Sequence, residues 1–183
     1  MTYRAPVDDI AFALRNAAGL GSALEDGLYG ELSDDVIQAV LEQAGKFATD
    51  VLASLNTIGD RYGTPFKDGT VTTAPGWKEA YRAWAQAGWN GLAAPTQWGG
   101  QDLPQAVNAA CIEMWNSAAM AFGLGPVLTM AGVDALVIHG SDELKRAYLP
   151  KLVSGEWMGT MQLTEPQAVN RWRHRWRHLY TRY

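Results

Sequence analysis

Apolar residues recur along most of this chain at steps of three and four, the period of helices that turn one face to a core. Pro6 precedes Val7, Ile10, Ala11, Leu14 and Ala17, which predicts a short first helix ending before Gly19-Leu20-Gly21. Ser33, followed by Asp34 and Asp35, reads as an N-cap, because its hydroxyl can accept from a free first-turn amide and the acids favour the positive end of the helix dipole. The helix opened there carries Val36, Val40, Leu41, Ala44, Phe47, Ala48, Val51, Leu52 and Leu55 as its apolar face. A loop rich in glycine and threonine, Gly59 to Gly76, then leads to a stripe of Trp77, Ala80, Tyr81, Trp84 and Ala85, ended by Gly88 and Gly91.

Pro95 to Pro104 is turn-rich. Two apolar helices are expected after it, over 104–122 and 126–139, separated by Gly123-Leu124-Gly125-Pro126. His139-Gly140 reads as a C-cap, Ser141 caps a last helix with Asp142 and Glu143 in its first turn, and Pro150 is expected to stop it. Beyond Gly155 the period changes to two, with Met158, Thr160, Gln162 and Thr164 on one side and Gly159, Met161 and Leu163 on the other, a strand pattern. A lone strand leaves its backbone donors and acceptors unpaired, so this one announces a sheet that lies elsewhere. The predicted fold class is all-α, a bundle of about five to six helices followed by one incomplete β-strand and a basic tail. The divisions are 1–32 (an arm with a short helix), 33–157 (the helical domain), 158–168 (the strand) and 169–183 (the tail).

Composition sharpens that picture. An apolar share of 48% with eight tryptophans argues for a packed interior in a chain of 183 residues. The net charge of −4 conceals an asymmetry: all nineteen acids lie within residues 1–168, while 169–183 hold five arginines and no acid. The acidic body gives no reason to expect specific nucleic-acid binding. The N-terminus lacks the pattern of a signal peptide, and no apolar stretch reaches the length of a bilayer span, Val127 to Ile138 being too short. A cytoplasmic protein without membrane association is the expectation.

Candidate chemistry is sparse. Cys111 is the single cysteine and sits at core spacing with Val107, Met114 and Trp115, which favours a buried thiol over a nucleophile. His139 has no second ligand nearby, so neither a metal site nor a catalytic histidine is expected. The pairs Asp8/Asp9, Asp34/Asp35 and Asp142/Glu143 all fall at helix starts, where capping explains them. Most tryptophans read as core, whereas Trp98, in a glycine-rich loop, is a candidate for partner contact.

Three motifs carry a resemblance. Tyr148-Leu149-Pro150-Lys151-Leu152-Val153-Ser154-Gly155 with Leu163-Thr164-Glu165-Pro166-Gln167-Ala168 resembles the helix-to-strand junction of the FAD-dependent acyl-CoA dehydrogenases. Gly88-Trp89-Asn90-Gly91-Leu92-Ala93-Ala94-Pro95 with Trp98-Gly99-Gly100-Gln101-Asp102-Leu103-Pro104 is similar to the family's loop between helices, and Gly140-Ser141-Asp142-Glu143 opens a helix of the family's type. The opening Tyr3-Arg4-Ala5-Pro6-Val7-Asp8-Asp9 is similar to the larger branch that includes 3-methylmercaptopropionyl-CoA dehydrogenase.

The resemblance implies the family's N-terminal helical domain, with FAD as cofactor, acyl-CoA as substrate, electron-transfer flavoprotein as redox partner and a homo-oligomer when intact. It further implies that Met161, Leu163 and Thr164 line the flavin and that Glu165 belongs to a structural turn. The α,β-desaturation itself needs a glutamate base from a part of the family's sequence not found here, so no catalytic residue is assigned and this chain is expected to be inactive alone. Where the family continues with glycine and serine or threonine, this chain has Val169 and Asn170, then the tandem Arg171-Trp172-Arg173-His174 and Arg175-Trp176-Arg177-His178. A shifted reading frame with an early stop would produce such a tail. The alternative is a stand-alone helical interaction module whose basic tail binds an anionic partner.

Overall fold

A computed structural model describes residues 3–160. It contains α1 (Val7–Asn16), α2 (Leu20–Glu25), α3 (Asp34–Phe47), a π-helical turn at Ala48–Leu52, α4 (Ala53–Tyr62), β1 (Phe66–Lys67), β2 (Thr70–Val71), α5 (Trp77–Gln86), α6 (Gln105–His139) and α7 (Asp142–Val153). Because the π turn joins α3 and α4 into one continuous rod, the described residues form six helices, in agreement with the predicted all-α class.

The caps form as their residue types require. Ser33 Oγ accepts from the Val36 amide at 3.4 Å and Ser141 Oγ from the Leu144 amide at 3.3 Å, while the three acid pairs occupy first turns. The face of the α3–α4 rod follows the sequence reading except at its start: Leu41, Ala44, Ala48, Leu52 and Leu55 are buried and Val40, Phe47 and Val51 pack against the core, whereas Val36 is 47% exposed and Ile37 is buried. Ile37 has the helical spacing to Leu41 and Ala44 that Val36 lacks, so it takes the place expected of Val36 at the start of the stripe. The first helix is bound to this rod. Ile10, Ala11 and Leu14 enter the same core, Val7 crosses at Gly45 where a side chain would leave only 2.5 Å, and Arg15 pairs with Asp34.

Four further expectations are corrected. The short helix α2 starts directly after Gly19, at the glycines expected only to end the first helix. The loop from Gly59 is helical as far as Tyr62 and then holds the antiparallel β1–β2 hairpin, with Asp68 (φ 52°) and Gly69 (φ 78°) supplying the left-handed turn between them. The two apolar helices expected at 104–122 and 126–139 are one element whose break falls at Ala119 (φ −156°, ψ 83°), while Gly123 and Gly125 are helical. Gly123 serves packing there: a Cβ on it would stand 1.9 Å from Asn116 Oδ1. α7 continues through Pro150 to Val153, because the carbonyl that loses its donor belongs to exposed Arg146 and can meet water.

By length and composition α6 could cross a bilayer, which the sequence reading, having halved it, excluded. Its Val107, Cys111, Met114, Trp115 and Phe122 are nevertheless packed in the helical core. At the centre of that core, Trp84 meets Trp115 edge-on at 4.4 Å and Phe122 at 5.7 Å, and Trp115 meets Trp89 at 5.2 Å. Two of the three indoles are satisfied: Trp84 Nε1 donates to Asn90 Oδ1 at 2.7 Å and Trp115 Nε1 to the Ala44 carbonyl at 3.2 Å, while Trp89 Nε1 is buried without a partner.

Candidate functional site

The motifs that stood apart in sequence meet in space. The loop after α5 folds back on itself through Gln101 N–H to Gly91 O (2.8 Å), Asp102 N–H to Ala94 O (3.0 Å) and Leu103 N–H to Leu92 O (2.8 Å). That close return needs Gly100, whose Cβ would lie 1.9 Å from the Ala94 carbonyl oxygen. The end of α7 then docks on this loop. A Cβ on Gly91 would touch Val153 at 3.1 Å, and Gly155, in the left-handed region at φ 77°, lies over Ala85 and Asn90 at distances a side chain could not tolerate. Tyr81 Oη donates to the Gly155 carbonyl at 3.0 Å, and burial raises its phenol above the ordinary pKa.

This junction aims the chain at a cleft between α5 and α6. From Gly155, Trp157 N–H returns to the Lys151 carbonyl at 3.0 Å, and the Trp157 ring sits 6.0 Å from Tyr148 with the Lys151 ammonium 4.4 Å from its centre. Gly159 N–H then donates to Thr129 Oγ1 at 3.0 Å, and that hydroxyl donates to the Gly125 carbonyl at 3.1 Å. The cleft beside this segment has a volume of about 420 Å³ and is walled by Trp77, Tyr81, Phe122 and Met158, with Lys78 and Arg82 also lining it and no carboxylate among its residues. Its lining is apolar at the walls and cationic at Lys78 and Arg82, which suits an apolar group joined to an anion.

The flavin-lining residues implied by the resemblance, Met161, Leu163 and Thr164, lie outside the described residues, as do Glu165 and the basic tail. Residues 158–160, the expected start of the strand, are described and carry no strand. One strand edge has no partner there to complete a ladder. Trp98, singled out for partner contact, is partly buried and packs on one side against a core cluster of Ala94, Val133, Leu149, Leu152 and Val153. His139 ends α6, and the described residues hold no group of three potential metal ligands. Thr129, Tyr81 and Asn90 were not anticipated, although a single threonine in the apolar run of α6 was a legible signal.

Cys111 is fully buried, and burial pushes its thiol up to about 12 from 9.0. It should therefore be silent to a thiol reagent at pH 8 in the native chain and react once per molecule in denaturant. The neutral thiol is the form the fold prefers, so its contribution is complete below pH 9 and declines as pH rises from 9 towards 12, by at most about 1.4 kcal/mol per unit. Labelling of folded protein at the rate of a free thiol would contradict this.

Once the fold and its motif junction are in place, residues 37–156 match the family model described as "Acyl-CoA dehydrogenase, N-terminal domain". The chain belongs to the acyl-CoA dehydrogenase family. Over 168 residues it is 45% identical to 3-methylmercaptopropionyl-CoA dehydrogenase of Ruegeria pomeroyi, an alignment covering 92% of this chain and 29% of that protein. It is 32% identical over 170 residues to butyryl-CoA dehydrogenase of Syntrophomonas wolfei, covering 91% of the chain and 28% of the relative. A broad-specificity linear acyl-CoA dehydrogenase of Mycobacterium tuberculosis is 27% identical over 172 residues, with 91% and 27% covered. The chain thus spans less than a third of the length of each of these relatives.

Proposed function

We propose that this chain acts as the N-terminal helical domain of an FAD-dependent acyl-CoA dehydrogenase, which desaturates an acyl-CoA thioester between its α and β carbons. The observation that carries the reading is the family match running to residue 156, where the chain turns from α7 into the segment held along the aromatic cleft. The chemistry of that cleft fits. Its apolar wall excludes water from an acyl chain or a flat ring, and Lys78 and Arg82, unopposed by any lining acid, favour an anion at its mouth. FAD, when bound, supplies the acceptor for the β-hydride. On this proposal Met161, Leu163 and Thr164 line the flavin, an acyl-CoA is the substrate, and an electron-transfer flavoprotein receives the electrons from a homo-oligomeric enzyme. The base that removes the α-proton comes from sequence beyond these 183 residues, so this chain contributes binding and orientation.

The purified chain is accordingly expected to be helical and colourless. Mixing it with FAD and a separately expressed polypeptide comprising the part of the Ruegeria pomeroyi relative beyond the matched segment should yield a yellow complex. That complex should reduce an artificial electron acceptor in the presence of an acyl-CoA, while neither component does so alone. A mixture that forms no complex, or a complex without flavin absorbance after gel filtration, would count against the proposal. A salt-sensitive anionic partner captured through residues 169–183 would favour the interaction-module alternative instead.

A further inference from the structure

We infer that Thr129 is a positioning residue that fixes where the chain leaves the helical domain for its cofactor-facing segment, an inference that rests on the function proposed above. Thr129 is 1% exposed and lies one turn after the cleft-lining Gly125 on α6, in an apolar stretch, 120–138, whose only charged residue is Asp134. A hydroxyl at that depth needs partners, and this one has two. It donates to Gly125 O one turn back, which orients the oxygen lone pairs outward from the helix, and it accepts from Gly159 N–H across the interface.

The contact is close as well as polar. A Cβ on Gly159 would stand 3.3 Å from Thr129 Cα, and one on Gly125 would stand 3.0 Å from Met158 Sδ, so the exit segment lies directly on the α6 backbone. Tyr81 holds the other end, donating to Gly155 O. Between these two anchors, placed 74 and 30 residues away in sequence from the groups they hold, only three residues intervene. Gly159 is two residues before Met161 and five before Thr164. Rotation of the chain at Gly159 would therefore redirect the sequence that follows it, which on the proposed function carries the residues assigned to the flavin.

A core filler and a positioning hydroxyl give opposite orders of effect. Thr129→Val keeps the shape and removes the oxygen, while Thr129→Ser keeps the oxygen and removes a methyl group. The experiment measures amide exchange at Gly159 and the methyl resonances of Met161 and Leu163 in the 183-residue chain by NMR, with the thermal midpoint alongside. Thr129→Val is expected to speed Gly159 exchange on the order of fivefold, the factor that corresponds to one net hydrogen bond of about 1 kcal/mol, and to shift both methyl signals. Thr129→Ser should leave exchange and methyl positions near those of the parent, even if its midpoint falls. Equal exchange in the parent and Thr129→Val, or a larger change in Thr129→Ser than in Thr129→Val, would overturn the inference. None of these readouts requires flavin, so failure here would leave the proposed function standing, and failure of flavin complementation would leave these results unchanged.

Discussion

Trp84→Ala is expected to destabilise the domain more than any other single truncation, lowering its stability by about 3–5 kcal/mol for the cavity and lost contacts. Trp84 is 1% exposed and is the ring shared by the aromatic cluster, meeting Trp115 at 4.4 Å, Phe122 at 5.7 Å and Phe47 at 5.9 Å. Its removal also strands Asn90 Oδ1, the acceptor of a 2.7 Å bond, in a place where water cannot replace the donor. An unpaired buried acceptor costs about 1–3 kcal/mol more. Set against a total stability of about 5–15 kcal/mol, the loss leaves a large unfolded population or a thermal midpoint lower by about 10–20 °C. Trp84→Phe should separate the two effects, because it retains most of the packing and removes only the donor. Phe66→Ala, at a ring 71% exposed on the hairpin, should change the midpoint little. Circular dichroism melts of the three variants provide the comparison, and a Trp84→Ala melt coincident with the parent would show that this cluster does not hold the helices together.

The parts of this fold that local chemistry decides were legible in the sequence. Ser33 and Ser141 cap helices because a hydroxyl beside free amides has one obvious use, and Trp77, Ala80, Tyr81 and Trp84 repeat at a spacing that a strand could not bury on one side. Misreadings occurred where packing chose among local options. Gly123-Leu124-Gly125-Pro126 offers a break by composition, yet the break occurs at Ala119, while Gly123 is needed where Asn116 approaches it and Gly125 where Met158 approaches it. Asp68-Gly69 is a hairpin signal, but Lys67 and Thr70 beside it give no apolar alternation, so the strands were absorbed into a loop. The motif residues were recognisable one by one, whereas the contacts that make a site of them were not. Tyr81 to Gly155 and Thr129 to Gly159 join residues far apart in sequence, and no periodicity encodes such a meeting.

The second half of α6 leads to the other large effect: the isolated chain should self-associate through it. Met120, Leu124 and Ile138 are 61%, 54% and 70% exposed, and Ala131 and Ala135 between them are exposed as well. At about 100° per residue these five positions fall within about 60° of one another, so they form a single apolar stripe along the helix. Soluble surfaces seldom carry such a stripe uncovered, and relatives more than three times as long have sequence with which to cover it. A second copy of the 183-residue chain carries a matching stripe that can cover it. Sedimentation should show concentration-dependent association, accompanied by binding of a hydrophobic dye. Leu124→Glu with Ile138→Glu should weaken association about 10- to 100-fold, since each contact half-buried between copies is worth about 1 kcal/mol and placing a charge there adds a desolvation cost. The thermal midpoint of the dissociated chain should hardly move, because neither side chain is part of the core. If the doubly substituted chain associated as strongly as the parent, the stripe would not be the interface. If the parent were a dye-silent monomer at high concentration, α6 would be covered from within the chain, and the residues after Thr160 would be the first place to look.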